Sequence, residues 1–250
     1  MDETEYEHSV ASQIAYDYET FGLDKAQENL EKELPGYTID PDLTDDYSTT
    51  IIKPDGSAIV SYRGTDIERP DDIMADIVIF SGLYKTGSLQ YITDATGLTS
   101  FLPASLTRFS LADQKFKQVK EKYNQVSITG HSLGGSQAKF ISKKYDTPAF
   151  VFNPGSVPNL PGEEFSIGRN TKVLLVQGDT ISRFVNTYTP DNQIKYIKQN
   201  QSSAHSLRNF TSQKIKMREP MDITEAEINN MSIQDLCELY PQLKICEIGS

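Results

Sequence analysis

The run Gly130-His131-Ser132-Leu133-Gly134 sets a serine between two glycines, and Gly135 follows. A serine hydroxyl attacks a carbonyl only when a base takes its proton and donors receive the oxyanion. A sharp strand-to-helix turn meets the first geometric need by lifting Oγ clear of the backbone. Such a turn crowds the chain two residues to either side, where Gly130 and Gly134 stand. The flanks agree with that reading. Val126-Ser127-Ile128-Thr129 reads as a short strand, and an amphipathic stretch reads as a helix to about Tyr145. The plainer reading, an ordinary glycine-rich turn, does not require that context. The chemistry implied is acyl transfer through Ser132. The helix beginning at Leu133 would turn its positive end toward the serine, with the Leu133 amide as one oxyanion donor.

In α/β-hydrolases the nucleophile is followed along the chain by an acid and then by a histidine. The chain has three histidines, and His205 alone lies after Ser132. His8 is far upstream, and His131 lies inside the turn with its side chain directed away from the neighbouring serine. The base is therefore His205, set among the small residues Ser202, Ser203, Ala204 and Ser206. For the acid, position relative to a strand decides, because open α/β sheets place their chemistry at the carboxyl ends of strands. Asp179 follows the strand-like run Val173 to Gln177. Asp191 reads as a turn residue, and Asp146 as a helix exit. Asp179 is preferred and Asp191 is the alternative. Its role is to hold the tautomer of His205 and stabilise the imidazolium.

The elements that must position these groups follow from periodicity. Helices are expected over 4–20, with Val10, Ile14 and Tyr18 on one stripe, over 24–34, and over 104–123, where Phe109, Ala112, Phe116, Val119 and Tyr123 recur at spacings of three and four. The first two carry no chemical motif and read as packing. A hairpin is expected over 48–64, turning at Pro54-Asp55-Gly56. Further strands are expected at 149–152, 173–176 and 193–198, and helix returns over 223–248. Strands alternating with helices predict an α/β fold, a mainly parallel sheet with helices on both faces. The 250 residues suit one domain with its core at about 48–210, an acidic helical segment at 1–47 and a helical extension at 211–250. Residues 66–103 mix apolar runs with Gly, Ser and Thr. Ile73, Ile77, Val78, Ile79 and Phe80 fit a lid over the site and fit a core strand equally well.

Composition excludes several classes. The net charge is −11, and residues 1–50 hold fourteen acidic side chains against two lysines. No basic face dominates, so nucleic acid is not an expected partner. From Gln193 to Arg218 there are six Lys or Arg and no acid. That stretch would suit a peripheral contact with an anionic lipid surface, and it reads as well as a solvated strand and loop. Cys237 and Cys246 form neither a disulfide framework nor a metal set. No metal or cofactor is expected. There is no Sec-type signal and no apolar run long enough to span a membrane, which leads to an expectation of cytoplasmic or non-classical delivery. Oligomeric state is not legible.

Taken together, Arg63-Gly64-Thr65, Asp76, the hexapeptide Gly130 to Gly135, Gly178-Asp179 and His205 resemble the fungal-type class 3 lipases, over about 48–210. The resemblance implies an α/β-hydrolase fold and a Ser132, Asp179, His205 triad. It also implies Thr65 as second oxyanion donor, with Asp66 or Asp76 holding the Thr65 loop. The chain departs from the family pattern at Asn153-Pro154-Gly155, where secreted members show Gly-x-Pro. It also departs in its interval of 26 residues between Asp179 and His205, and in having no tryptophan. The function implied is a serine carboxylic-ester hydrolase, a lipase or phospholipase working through an acyl-enzyme on a lipid or other ester. Triacylglycerol, phospholipid, galactolipid and soluble esters stay open as substrates. Two other readings compete: a catalytically silent pseudo-hydrolase with a structural or binding role, and an acyltransferase or thioesterase.

Overall fold

The computed structural model describes residues 1–64, 101–155, 168–179, 182 and 191–212, with 101–107 and 191 described by backbone alone. The chain divides between Ile215 and Lys216, and every described residue lies before that division. The expectations for 66–100 and 223–248, including the lid, and for Cys237 and Cys246 fall outside the described residues.

Helix α1 (Glu3–Phe21) starts where the Asp2 carboxylate accepts from the Glu5 amide and the Glu5 carboxylate accepts from the Asp2 amide. That reciprocal pair satisfies two of the amides a helix start leaves open. Gly22, at φ 80°, ends α1 and admits α2 (Leu23–Glu33). The sheet follows: β1 (Thr38–Ile39), β2 (Ser48–Ile52), β3 (Ala58–Tyr62), β4 (Val126–His131), β5 (Ala149–Phe152), β6 (Thr171–Val176) and β7 (Ile194–Ile197). Between them lie α3 (Phe101–Lys122) and α4 (Leu133–Tyr145), and α5 (Arg208–Thr211) comes after β7.

The strands lie in sequence order across one sheet. β1, β2 and β3 pair antiparallel, with the β2–β3 turn at Pro54 to Gly56, and β3 to β7 pair parallel. The expected α/β class, a mainly parallel sheet covered on both faces, is borne out. Alternation along the strands decides the two faces. Ala58, Val60 and Tyr62 of β3 pack with Ile128, Val151 and Val173 under Ala112, Phe116 and Val119 of α3 and Ala138 and Ile141 of α4. Ile59 and Ile51 turn the other way, against Tyr6, Val10, Ala11 and Ile14 of α1 and Ala26 and Leu30 of α2. Each such fully buried aliphatic side chain contributes roughly 1.5–3 kcal/mol. The acidic N-terminal segment thus supplies one wall of the core. The β1 pair and the short α5 were not foreseen, since two to four residues are too few to show a period.

Within that wall lies His8, buried, its ring centroid 4.3 Å from that of Phe150. Its Nδ1–H donates to the Thr4 carbonyl at 2.7 Å, so Nε2 accepts from the Ser127 hydroxyl at 2.8 Å. Burial outweighs these contacts and pushes the imidazole down to about 4 from its ordinary 6.5. The unfolded chain takes up this proton near pH 6.5 and the folded chain only near pH 4. Stability is therefore full above that window and is lost as the pH falls through it. Between pH 7 and pH 5 this one group removes roughly 1–2 kcal/mol. In His8→Asn, which keeps a donor for Thr4 but does not titrate, the difference in urea unfolding free energy between those two pH values shrinks by that amount. An unchanged difference would show that His8 is not held neutral.

Candidate active site

Parallel pairing brings the carboxyl ends of β3 to β7 to one edge of the sheet. From that edge leave Arg63-Gly64 after β3, Ser132 after β4, Asn153 after β5, Asp179 after β6 and the loop bearing His205 after β7. Register places Gly130 beside Tyr62 on one side and Val151 on the other.

Ser132 lies between β4 and α4 at φ 56°, ψ −123°, one of three non-glycine residues of positive φ among those described. Both glycines of the pentapeptide are demanded by contact. A Cβ on Gly130 would strike the Gly134 carbonyl, and a Cβ on Gly134 would strike the Tyr62 carbonyl oxygen of β3. The turn is pinned by its own backbone. Ser132 N–H donates to the Phe152 carbonyl at 3.2 Å, and the Ser132 carbonyl accepts from Ser136 at 3.1 Å and Gly155 at 3.0 Å. Leu133 is the first residue of α4, so its N–H has no acceptor within the helix.

His205 Nδ1 lies 2.9 Å from Asp179 Oδ2, and the Ser182 hydroxyl donates to the same oxygen at 2.6 Å. The Asp179 carboxylate is almost wholly buried and the His205 side chain is 10% exposed. A carboxylate oxygen accepts, so Nδ1 carries a proton, and in the neutral ring the lone pair is on Nε2. Ser132 Oγ and His205 Nε2 are both buried side-chain atoms that lack a hydrogen-bond partner among the described residues. A buried polar atom left unpaired is costly and calls for an explanation. Of the acids weighed from the sequence, Asp179 meets His205. Asp146 caps α4 in the left-handed region and accepts from Asn170, and Asp191 starts the single turn Asp191–Gln193. Thr65, Asp66 and Asp76 lie outside the described residues. The residue two before Thr65 is well held: Arg63 Nε donates to the Asp46 carbonyl at 2.7 Å, and the Arg108 guanidinium donates to the Arg63 carbonyl.

Two buried asparagines that sequence reasoning missed hold this edge: Asn153 ties the strand before Asp179 to the His205 loop, and Asn209 ties that loop to itself. Asn153 Oδ1 accepts from the Val176 amide, three residues before Asp179, at 2.9 Å, and its Nδ2 donates to the Ala204 carbonyl, one residue before His205, at 3.0 Å. Asn209 Nδ2 donates to the carbonyls of Ser203 at 2.8 Å and Ser206 at 2.9 Å, while its Oδ1 accepts from the amides of Asn200 and Gln201. Asn153 stood out in the sequence only as a departure at a strand end, and Asn209 gave no signal. A separate cavity of about 590 Å³, walled by α1, α2 and residues 201–212, is lined by none of Ser132, Asp179 and His205. Among the described residues no cluster of three or more His, Cys, Asp or Glu could hold a metal ion. None of their helices is long and apolar enough to cross a membrane.

The family described as lipase (class 3) matches residues 59–147, from β3 through the serine turn to the end of α4. No curated relative matches the chain. Among solved structures, a lipase from Rhizopus microsporus var. chinensis aligns at 15% identity, covering 84% of this chain and 80% of its own, with a TM-score of 0.40. A mutant of MDLA from Penicillium cyclopium aligns at 13% identity, covering 82% of this chain and 84% of its own, with a TM-score of 0.46. The family match bears out the resemblance read from the sequence, and it supports a lipase-type ester hydrolase.

The backbone of Ser132 stores strain that a glycine would not feel. Ser132→Ala removes the hydroxyl and keeps the strain, whereas Ser132→Gly removes both. The glycine variant should exceed the alanine variant in stability by about 1–2 kcal/mol in urea unfolding. Equal stabilities, or the reverse order, would mean that the turn relaxes in solution.

Proposed function

We propose that this chain is a serine carboxylic-ester hydrolase acting on lipid esters, a lipase or phospholipase, with Ser132 as nucleophile, His205 as base and Asp179 as its partner. The observation that carries the reading is the proton arrangement. The bond from His205 Nδ1 to Asp179 leaves Nε2 free to accept, at the sheet edge where Ser132 Oγ lies without another partner among the described residues.

In the first step the Ser132 proton passes to His205 Nε2 as Oγ bonds the ester carbonyl carbon. The carbonyl oxygen becomes an oxyanion and is received by the Leu133 amide and by Thr65. The C–O bond to the alcohol then breaks, and the alcohol leaves with the proton from Nε2. Water repeats the sequence on the acyl-enzyme, returning Ser132 and releasing the acid. Asp179 stabilises the imidazolium throughout and does not take the proton. No step calls for a metal or cofactor.

A fluorophosphonate tests this directly, because only an activated serine displaces its leaving group. The label should map to the peptide bearing Ser132 and vanish in Ser132→Ala. Labelling should slow by roughly a thousandfold or more in His205→Ala and in Asp179→Asn, where the amide favours the wrong tautomer of the base. Turnover of triacylglycerol beside phospholipid, at rising chain length, then sorts lipase from phospholipase. Folded protein that takes no label would replace the enzyme with the silent pseudo-hydrolase.

A further inference from the structure

The base loop is also held by the residue that precedes the nucleophile. His131, next to Ser132, is buried. Its Nε2 lies 2.7 Å from the backbone carbonyl of His205, and the two rings lie 4.8 Å apart. Its Nδ1 lies 3.1 Å from the hydroxyl of Tyr16, on α1. The protons on this chain of contacts are determined. A carbonyl only accepts, so Nε2 carries a proton. Burial, with the His205 ring adding to it, pushes the imidazole down to about 3, so His131 is neutral and Nδ1 is bare. The bare nitrogen must accept, and the Tyr16 hydroxyl is the described neighbour placed to donate.

We propose that Tyr16 and His131 are positioning residues for the catalytic base: Tyr16 fixes which nitrogen of His131 carries the proton, and that proton holds the backbone that presents His205. The inference rests on the triad reading above. Two anchors on different atoms define where His205 Nε2 points, Asp179 on the ring and His131 on the main chain. The other tautomer of His131 would set a lone pair against the carbonyl and a proton against the Tyr16 hydroxyl. Tyr16 is also fitted closely to the end of β3. A Cβ on Gly64 would collide with its hydroxyl, and would lie 2.7 Å from the His131 carbonyl oxygen and 3.4 Å from Ser132 Cβ. One phenol oxygen thus lies where the residue before Thr65, the nucleophile turn and the contact to the base loop converge. The bland account is a buried histidine that satisfies its own polar atoms and matters to folding alone. It differs from the proposal in what a conservative replacement restores.

The test uses the full chain with His131→Leu, His131→Gln and Tyr16→Phe. Glutamine carries an N–H at about the reach of Nε2, and leucine carries none. The readouts are the fluorophosphonate labelling rate, kcat and KM on a soluble p-nitrophenyl ester, the thermal midpoint, and amide exchange in peptides covering 203–206. In His131→Leu, labelling and kcat should fall about a hundredfold with KM nearly unchanged, as expected of a base displaced by about an ångström. The 203–206 amides should exchange faster. His131→Gln should recover to within about tenfold of the parent, and Tyr16→Phe should lose about three- to tenfold, the size of one hydrogen bond. Folded His131→Leu that labels at the parental rate would overturn the proposal, as would His131→Gln no better than His131→Leu. A parent chain that takes no label overturns the hydrolase reading instead. Exchange at 203–206 then decides the anchoring by itself, and unchanged exchange in His131→Leu refutes it.

Discussion

The site depends on a backbone conformation that Ser132 adopts at a cost. A positive φ at a residue with a Cβ persists only where its surroundings over-determine it. Here the Ser132 amide is bound to β5 through Phe152, and its carbonyl is bound by Ser136 of α4 and by Gly155. β3 approaches so closely that Gly134 has no room for a side chain. The parallel sheet is what makes this possible. Ordered β-strands on both sides of β4 hold the turn between fixed walls, and Gly130 is in register with Tyr62 and Val151. Stability generated by ordinary burial along the strands is thus spent at one residue, whose hydroxyl is left without a hydrogen-bond partner among the described residues.

The same edge carries a second constraint, that of satisfying polar groups away from water. Loops that leave a sheet expose carbonyls, and burying them unpaired costs about 1–3 kcal/mol each. Asn153 and Asn209 answer that cost with side-chain amides that act as extra pieces of backbone. Because the bonds of Asn153 run between the strand that precedes Asp179 and the loop that carries His205, satisfying the backbone also fixes those two side chains relative to each other. The loop therefore has few ways to move without leaving a buried carbonyl unpaired.

What the sequence made legible follows this division. Periodicity placed α1, α2 and α4 and the strands of the parallel sheet closely, because each buries a face and so shows a period. The start of α3 was placed three residues late, since Pro103 lies within its first turn. Two features were readable as chemistry. Gly130 and Gly134 betray the close approach of backbone, and His205 is singled out by being the one histidine after Ser132. Asp179 was readable from its place after a strand. Asn209 was not, because a side chain bonding within an irregular loop follows no period, and Asn153 and Tyr16 were not, because their roles come from contacts 51 and 115 residues away along the chain. The first helix was read as packing alone for the same reason.

That helix also resolves the uneven charge. Fourteen acids in the first fifty residues suggest an exposed acidic surface. Much of that charge instead meets cations from later in the chain: Glu7 with Lys53, Asp40 with Lys122, Asp45 with Lys115, and Glu19 with Arg63. Each of these pairs has one partner largely screened from water and the other reaching toward the surface. The Glu5 carboxylate is different, being fully buried and shared by Lys172 of β6 at 2.5 Å and Lys195 of β7 at 2.7 Å. Its desolvation offsets most of its attraction, so its worth lies in orientation more than in energy. Glu5 fixes the start of α1 to β6 and β7, and Glu19 meets Arg63 at the end of β3, with Tyr16 between these two contacts. The apolar stripe of α1 buries Tyr6, Val10, Ala11 and Ile14, and the charged contacts add a hold near each end. Packing, these charge contacts, and the bonds of His8 to Ser127 and Ser12 to Thr129 together hold α1 where the Tyr16 hydroxyl reaches His131.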